Sequence, residues 1–313
     1  MALFVNGFLL RLLMSEGRKR FWPQTVRVSR VTNRWRSHPR SCRMPDPLPL
    51  SSATFATDGS FAGLLCAYAH AHRTGALPAT VALAGAPASG SLFGAPVRIQ
   101  TEAALAERLE RGMERVRPGL VSKLLRAFLS ERPGIEMDVL RLIDAVAVDG
   151  AEAVDDWTFG PAREVARWAQ RTGREAHRME AFVRFERHEA EGEERWLARI
   201  RPEHHVLPLI AEHFSSRYPA MRWTILDARR RLALVHARPA ATLAEGERAT
   251  QIVPASSLPD LAPTADERAY QSMWRAYFRA VDIPERRNLA LHLRHVPKRY
   301  WPDLTEKRDA LPA

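Results

Sequence analysis

Between residues 175 and 237 the spacing of apolar and polar positions changes period twice. Runs at 181–187, 196–201, 222–227 and 231–237 read as strands, whereas 203–217 spaces its apolar residues as a helix does. In the second run Trp196, Ala198 and Ile200 fall on one side and Leu197, Arg199 and Arg201 on the other. Trp223 and Ile225 oppose Arg222 and Thr224 in the third run in the same way. The acidic, Gly-containing link 190–194 and the stretch 227–230 supply turn chemistry within each pair. The expected unit is β-β-α-β-β, two antiparallel hairpins about one helix. One face of the sheet lies under the helix and the other is wet and partly basic.

Upstream, 53–57 reads as a short strand, Asp58-Gly59-Ser60 as a turn, and 61–72 as a helix with Phe61, Leu64, Leu65, Tyr68 and Ala69 on one face. Asp58 or Ser60 is placed to cap it. Further β-like runs fall near 80–84 and 96–101, and helical spacing follows at 102–116, 118–130, 135–148 and 160–171. Residues 239–263 are rich in Ala, Pro, Ser and Thr and read as a connection. A helix at 265–281 then carries Tyr270, Met273, Trp274, Tyr277 and Phe278 as a stripe expected to pack on the sheet, and Pro284 opens a further helix. The expected fold class is therefore α+β, a helical N-terminal half packed with the small antiparallel sheet and C-terminal helices. The corresponding parts are an unpacked basic leader, 1–43; a mainly helical region with short strands, 44–173; the α+β module, 174–238; a linker, 239–263; and a C-terminal helical block, 264–313.

Charge changes this picture less than its total suggests. Of the net +11, residues 1–43 hold ten Lys or Arg against one Glu and so carry +9, which leaves +2 for the remainder. Residues 1–14 are apolar but interrupted by Asn6 and Arg11, too short for a membrane span, and the basic residues follow the apolar run instead of preceding it. The leader can be a nucleic-acid-binding arm, a presequence or a translated upstream region; a start at Met44 is the preferred expectation. Two cysteines, Cys42 and Cys66, can make neither a disulfide framework nor a four-cysteine metal or iron–sulfur site, so reduced thiols and a cytoplasmic location are expected.

Recognisable catalytic chemistry is sparse. The chain contains no GxGxxG, no phosphate-binding GxxxxGK[ST], no GxSxG elbow and no deaminase signature, so no cofactor is expected. His204, His205 and His213 lack the spacing and the companion carboxylate of a metal site, and His177–Glu180 has no further ligand beside it. Glu175 and Arg178, three apart on a helix, can pair within a structural polar network. The same region allows a catalytic use, with His177 as a general base and Arg184 holding a phosphate, but no nucleophile stands nearby. At the C-terminus Arg286, Arg287, Asn288, Lys298 and Arg299 surround Tyr300 and Trp301. Bases interleaved with aromatics suit phosphates and exposed nucleobases, unless the two rings are a hydrophobic clasp.

Several strings resemble a bacterial family of DNA-metabolism proteins, a domain of unknown function. They are Asp58-Gly59-x-Phe61-x-Gly63-Leu64-Leu65, Phe128-Leu129-Ser130-Glu131, Glu175-x-His177-Arg178, Phe182-Val183-Arg184-Phe185 and Val206-Leu207-Pro208-Leu209. Others are His213-Phe214, Trp223-x-Ile225-x-Asp227-x-x-Arg230, Ile283-x-x-Arg286-x-Asn288 and Pro297-Lys298-Arg299-Tyr300-Trp301-x-x-Leu304-x-Glu306. The resemblance implies DNA repair or modification beside a radical-SAM protein of the photoproduct-lyase type, and fusion to uracil-DNA glycosylase domains in longer relatives. It carries over no catalytic residue. With no cluster-binding cysteines in this chain, the hard chemistry is expected on the partner. The leading expectation is a DNA-binding accessory, for single-stranded or damaged DNA, to a radical-SAM protein. The rivals are a DNA-acting hydrolase built on His177, Arg184 and Asp227, and a protein-only scaffold. A pocket where those three converge marks the hydrolase, a basic groove the binder, and a flat apolar patch the scaffold.

Overall fold

The computed structural model describes residues 46–84, 95–190, 192–237, 249–258 and 263–308, all within the unit Met44–Ala313. The leader, and residues 239–248 and 259–262 of the expected linker, lie outside the described residues. Strand β1 (Thr54–Thr57) leads through a tight turn into helix α1 (Phe61–Thr74). The Ser60 hydroxyl caps that helix by accepting from the Gly63 amide at 2.9 Å, and Ser60 in turn donates its amide and its hydroxyl to Asp58 Oδ1 at 2.9 and 2.7 Å. Strands β2 (Thr80–Leu83) and β3 (Val97–Arg98) flank β1, both parallel to it, in the order β2-β1-β3. Helices α2 (Ala103–Val116), α3 (Leu120–Phe128) and α4 (Ile135–Asp149) follow.

Helix α5 (Gly160–Phe182) spans the two hydrophobic cores of this unit. Its buried positions Ala162, Val165, Ala169, Thr172, Ala176 and Met179 recur at three- and four-residue intervals along its whole length. The first three join a core with Leu64, Leu120, Leu124, Leu140 and Leu142; the last two join a second core under the larger sheet. The expected strand at 181–187 is therefore corrected. The helix runs eleven residues past 171 to Phe182, and the strand begins only at Glu186. Tertiary burial of Ala176 and Met179 carries the helix through Ala181 and Phe182, and Val183-Arg184-Phe185 then form the connection into the strand. Gly173 does not break the helix, and the Arg126 side chain from α3 lies against it.

The second sheet contains β4 (Glu186–Ala190), β5 (Glu193–Ile200), β6 (Trp223–Asp227), β7 (Leu232–His236) and β8 (Thr250–Pro254), in that order, with helix α6 (Leu207–Arg217) between β5 and β6. The β-β-α-β-β order holds and the fold class is α+β. The sheet, however, is mixed and not antiparallel: β5 and β6 are parallel, Ala198 opposite Ile225, and every other pair is antiparallel. The helical crossover carries the chain back to the end of the sheet where β5 began, so the strands it joins run the same way. The fifth strand arises within the stretch expected as a connection, with Ile252 opposite Leu234. Among the described residues it pairs with β7 alone, and its last residue is Pro254, which a sheet tolerates at an edge.

The chain closes with α7 (Ala265–Ala280), capped by the Thr264 hydroxyl, a 3-10 turn at Pro284–Arg286, α8 (Leu289–His295) and a 3-10 segment, Lys298–Asp303. The expected packing of the α7 stripe is only half realised. Trp274 and Phe278 turn toward Glu306 and Lys307, but Met273 is 62% and Tyr277 41% exposed. Among the described residues no helix is long and apolar enough to cross a membrane.

The first turn yields a test. A Cβ on Gly63 would collide with Asp58 Oδ1 and lie 2.9 Å from Thr101 Oγ1 and 3.2 Å from Ser60 Oγ. Gly63→Ala is expected to cost about 1–3 kcal/mol by overpacking, measured by denaturant unfolding. An unchanged midpoint would mean that the Asp58–Ser60 turn relaxes freely.

Candidate functional site

The periodicity that buries Ala176 and Met179 also carries Glu175 inward, to 2% exposure. Its Oε1 accepts from the Glu203 amide at 2.9 Å, the Tyr300 hydroxyl at 2.6 Å and Arg299 Nη2 at 3.3 Å; its Oε2 accepts from the His204 amide at 2.7 Å. Burial alone pushes the carboxyl up, but the two amides and the hydroxyl outweigh it and hold Glu175 below its ordinary value. Burial, and then the Glu175 carboxylate, push the Tyr300 hydroxyl up to about 12. One side chain thus ties α5 to the loop before α6 and to the C-terminal 3-10 segment.

A second tie lies along the same seam. Arg230, at the β6–β7 turn, donates to Asp227 Oδ2 at 2.9 Å, to Glu131 Oε2 at 2.9 Å through Nε, and to the carbonyls of Pro202 and Glu203 at 3.3 and 2.8 Å. Glu131 adopts a left-handed backbone, φ 52°, which turns the chain between α3 and α4 where its carboxylate meets Arg230. Next to it the His205 amide donates to the Leu129 carbonyl at 2.9 Å, and His204 Nδ1 meets the Ser130 carbonyl at 3.3 Å. Burial, and then Arg230, hold the His205 imidazole below its ordinary value. The strings around residues 128–131, 175, 203–206, 227–230 and 299–300, dispersed in sequence, therefore meet in one polar seam between the helices and the sheet.

The three residues considered for hydrolysis do not gather there. His177 is solvent-facing and pairs with Glu180 at 3.1 Å. Arg184 is half-buried, donates to the Ala181 and Val183 carbonyls and stands 3.7 Å from Glu306. Asp227 is fully buried and accepts from the amides of Arg229 and Arg230 as well as from the Arg230 guanidinium. No hydrogen bond or ion pair joins any two of them. Arg178 stands outside the Glu175 network, because all the donors to Glu175 come from residues 203, 204, 299 and 300. Among the described residues no three His, Cys, Asp or Glu side chains gather as a metal ion requires, and His204 faces Ser130 and the Trp168 ring instead.

The C-terminal block is arranged as a clasp. Tyr300 and Trp301 are 3% and 7% exposed, so neither ring offers a face to a nucleobase. Arg299 reaches Glu175 and Glu203, Arg287 pairs with Asp282, and Asn288 caps α8 by accepting from the Leu291 amide at 2.9 Å. The stacking role considered for Tyr300 and Trp301 is corrected accordingly: the hydrophobic core under the sheet takes Tyr300, and the Val296 carbonyl takes the Trp301 indole N–H. Arg286 and Lys298 remain on the surface.

Another basic surface, not anticipated from the sequence, lies on α5. Arg167, Arg171, Arg174 and Arg178 fall at i, i+4, i+7 and i+11, directly opposite the buried positions Val165, Ala169, Thr172 and Ala176. Arg167 is paired with Glu164, and Arg132, Arg167 and Arg171 surround the Trp168 ring at 5.4, 5.2 and 4.7 Å. Among the described residues Arg174 and Arg178 have no acidic partner. Arg299 approaches the same flank through Glu175, which adjoins Arg171 and Arg178 on the helix surface. Ending the helix at 171 had hidden the stripe, although its four-residue spacing is written in the sequence.

An α+β protein with a buried polar seam, and with its convergent charged residues engaged in holding elements together, is the class that fold and site define. The chain belongs to the domain-of-unknown-function family DUF4130, whose family model matches residues 133–306. No curated protein matches it. Among solved structures it has a slight likeness to a Methanococcus jannaschii protein described as a family II inorganic pyrophosphatase. Identity is 10% over 63% of this chain and 74% of that one, and the TM-score of 0.18 is too low to bear on fold or function.

The seam makes a pH-dependent prediction. A carboxyl held below its ordinary 4.5 stabilises the folded state fully above that pH, and this contribution is lost as pH falls through the lower folded value. Glu175→Gln leaves buried amide donors facing a side-chain NH2 and is expected to cost about 2–4 kcal/mol at neutral pH. Its loss of stability below pH 4.5 should be shallower than that of the parent chain. With Tyr300→Phe, a double-mutant cycle should give a coupling of about 1–3 kcal/mol; additive effects and parallel pH curves would remove Glu175 from its central place.

Proposed function

We propose that this protein is a DNA-binding accessory, that the arginine stripe of α5 is the surface that meets phosphate, and that a partner protein carries the covalent chemistry. The observation that carries the reading is the row of exposed Arg171 and Arg174 and half-buried Arg178, with Arg299 at its edge, on the outward face of α5. From residue 171 to 178 the row is about 10 Å long at 1.5 Å per residue, a length over which one strand of B-DNA presents about three phosphates. Guanidinium forks suit phosphate oxygens, and Trp168 beneath three of them adds a stacking element. The resemblance in the DNA-metabolism strings supports DNA as the polyanion and a radical-SAM protein as the partner. A cytoplasmic location fits both.

The protein-only scaffold retains one specific observation in its favour. Met273, Tyr277, Val281, Ile283, Leu289 and Leu291 leave 41–63% of their surface exposed on the C-terminal helices, an apolar area suited to a protein partner. The accessory reading accommodates this surface as the dock for the partner.

Salt titration separates the two readings. The intact chain should bind single-stranded or mismatched DNA with an affinity that falls as salt rises. The triple variant Arg171→Ala, Arg174→Ala, Arg178→Ala should flatten the log–log slope by about two units, at ~0.7 per phosphate on a single strand. Trp301→Ala should lower the melting temperature, as a core residue does, and leave the slope alone. Absence of salt-dependent binding at low salt would favour the scaffold.

A further inference from the structure

We propose that the N-terminal layer holds a second, separate binding site, for a small ligand with an oxyanion head, phosphate or carboxylate. A cavity of about 360 Å³ opens there, lined by Cys66, His70, Arg73, Arg98, Gln100 and Glu102. It lies wholly outside residues 133–306, the part of the chain that the family model matches.

The way this cavity is built argues for a ligand. Cys66, His70 and Arg73 occupy i, i+4 and i+7 of α1 and so form one continuous face of that helix. The opposite wall is β3 and the stretch entering α2, where Arg98 is held in register with Ala56. The two walls are fastened at the bottom: Cys66 Sγ accepts from the Glu102 amide at 3.3 Å and approaches the Glu102 carbonyl at 3.6 Å. The His70 ring is set edge-on to Phe55, 5.1 Å between centroids, which fixes its direction against the first core. The frame is rigid, whereas the charge at its mouth is uncompensated. Arg73 and Arg98 have no acidic partner among the described residues, and Glu102 is the one carboxylate in the lining. Two guanidinium groups, an imidazole and an amide around a cavity of this size form the donor set that a compact oxyanion requires. A polymer is a poorer fit, because the cavity is small and bounded on both sides, unlike the open stripe on α5.

Calorimetric titration of the full chain with inorganic phosphate and with succinate tests the site. Saturable millimolar binding of at least one of them is expected, weakened about tenfold or more by Arg98→Ala and by Arg73→Ala. Both side chains are exposed, so the melting temperature should not change. Arg163→Ala, on α5 and outside the cavity lining, and the triple α5 variant should bind as the parent does, which keeps this site distinguishable from the DNA surface. Stronger binding of phosphate assigns a phosphoryl head, and stronger binding of succinate a carboxylate. If neither anion binds saturably, or if the Arg73 and Arg98 variants bind as the parent does, the proposal is wrong.

Discussion

A carboxylate taken out of water must find nearly all its hydrogen bonds inside the protein, and the surroundings of Glu175 are organised by that requirement. Four donors from two separate parts of the chain converge on it: the amides of residues 203 and 204, the Tyr300 hydroxyl and the Arg299 guanidinium. None of these is adjacent in sequence to α5. The loop before α6 must therefore turn two adjacent amides toward α5, and the C-terminal segment must return across more than 120 residues to deliver Tyr300. Because an unpaired buried charge costs far more than a neutral cavity, the network tolerates no partial assembly. That is the physical reason to regard the C-terminal block as integral to the fold and not as an appendage to the sheet.

The Arg230 hub extends the same logic to the helical layer. Its guanidinium spans Glu131, Asp227 and two carbonyls, so five elements share one polar seam between two hydrophobic cores. Such a seam orients: apolar packing alone would let α5 slide against the sheet, but directional bonds at Glu175 and Arg230 specify one register. It also accounts for why residues that looked chemically active are spent on structure. Asp227 is buried with Arg230, Arg184 is half-buried beside Glu306, and His177 faces solvent beside Glu180.

Two kinds of surface remain for function once those groups are engaged. One is cationic and lies on the outer side of the helix that the seam immobilises; the other is apolar and lies on α7 and α8, which pack more loosely. These two faces, one charged and one apolar, are the surfaces on which the proposed DNA-binding accessory role rests.

Much of this was legible in the sequence. Period-two and period-3.6 patterning located α1 to α4, α6, β6 and β7, because in each the burial of one face is a local consequence of side-chain spacing. The Ser60 cap and the α+β class were readable for the same reason. The tertiary structure decided the rest. It carried α5 through to Phe182, because two cores bury its face. It made β5 and β6 parallel and added β8 at an edge, since strand pairing is a choice between distant segments. It also turned Tyr300 and Trp301 from candidate stacking platforms into a clasp. Composition shows that bases and aromatics are neighbours along the chain; only packing determines which of them face water, and here the demand of a buried Glu175 drew Tyr300 inside.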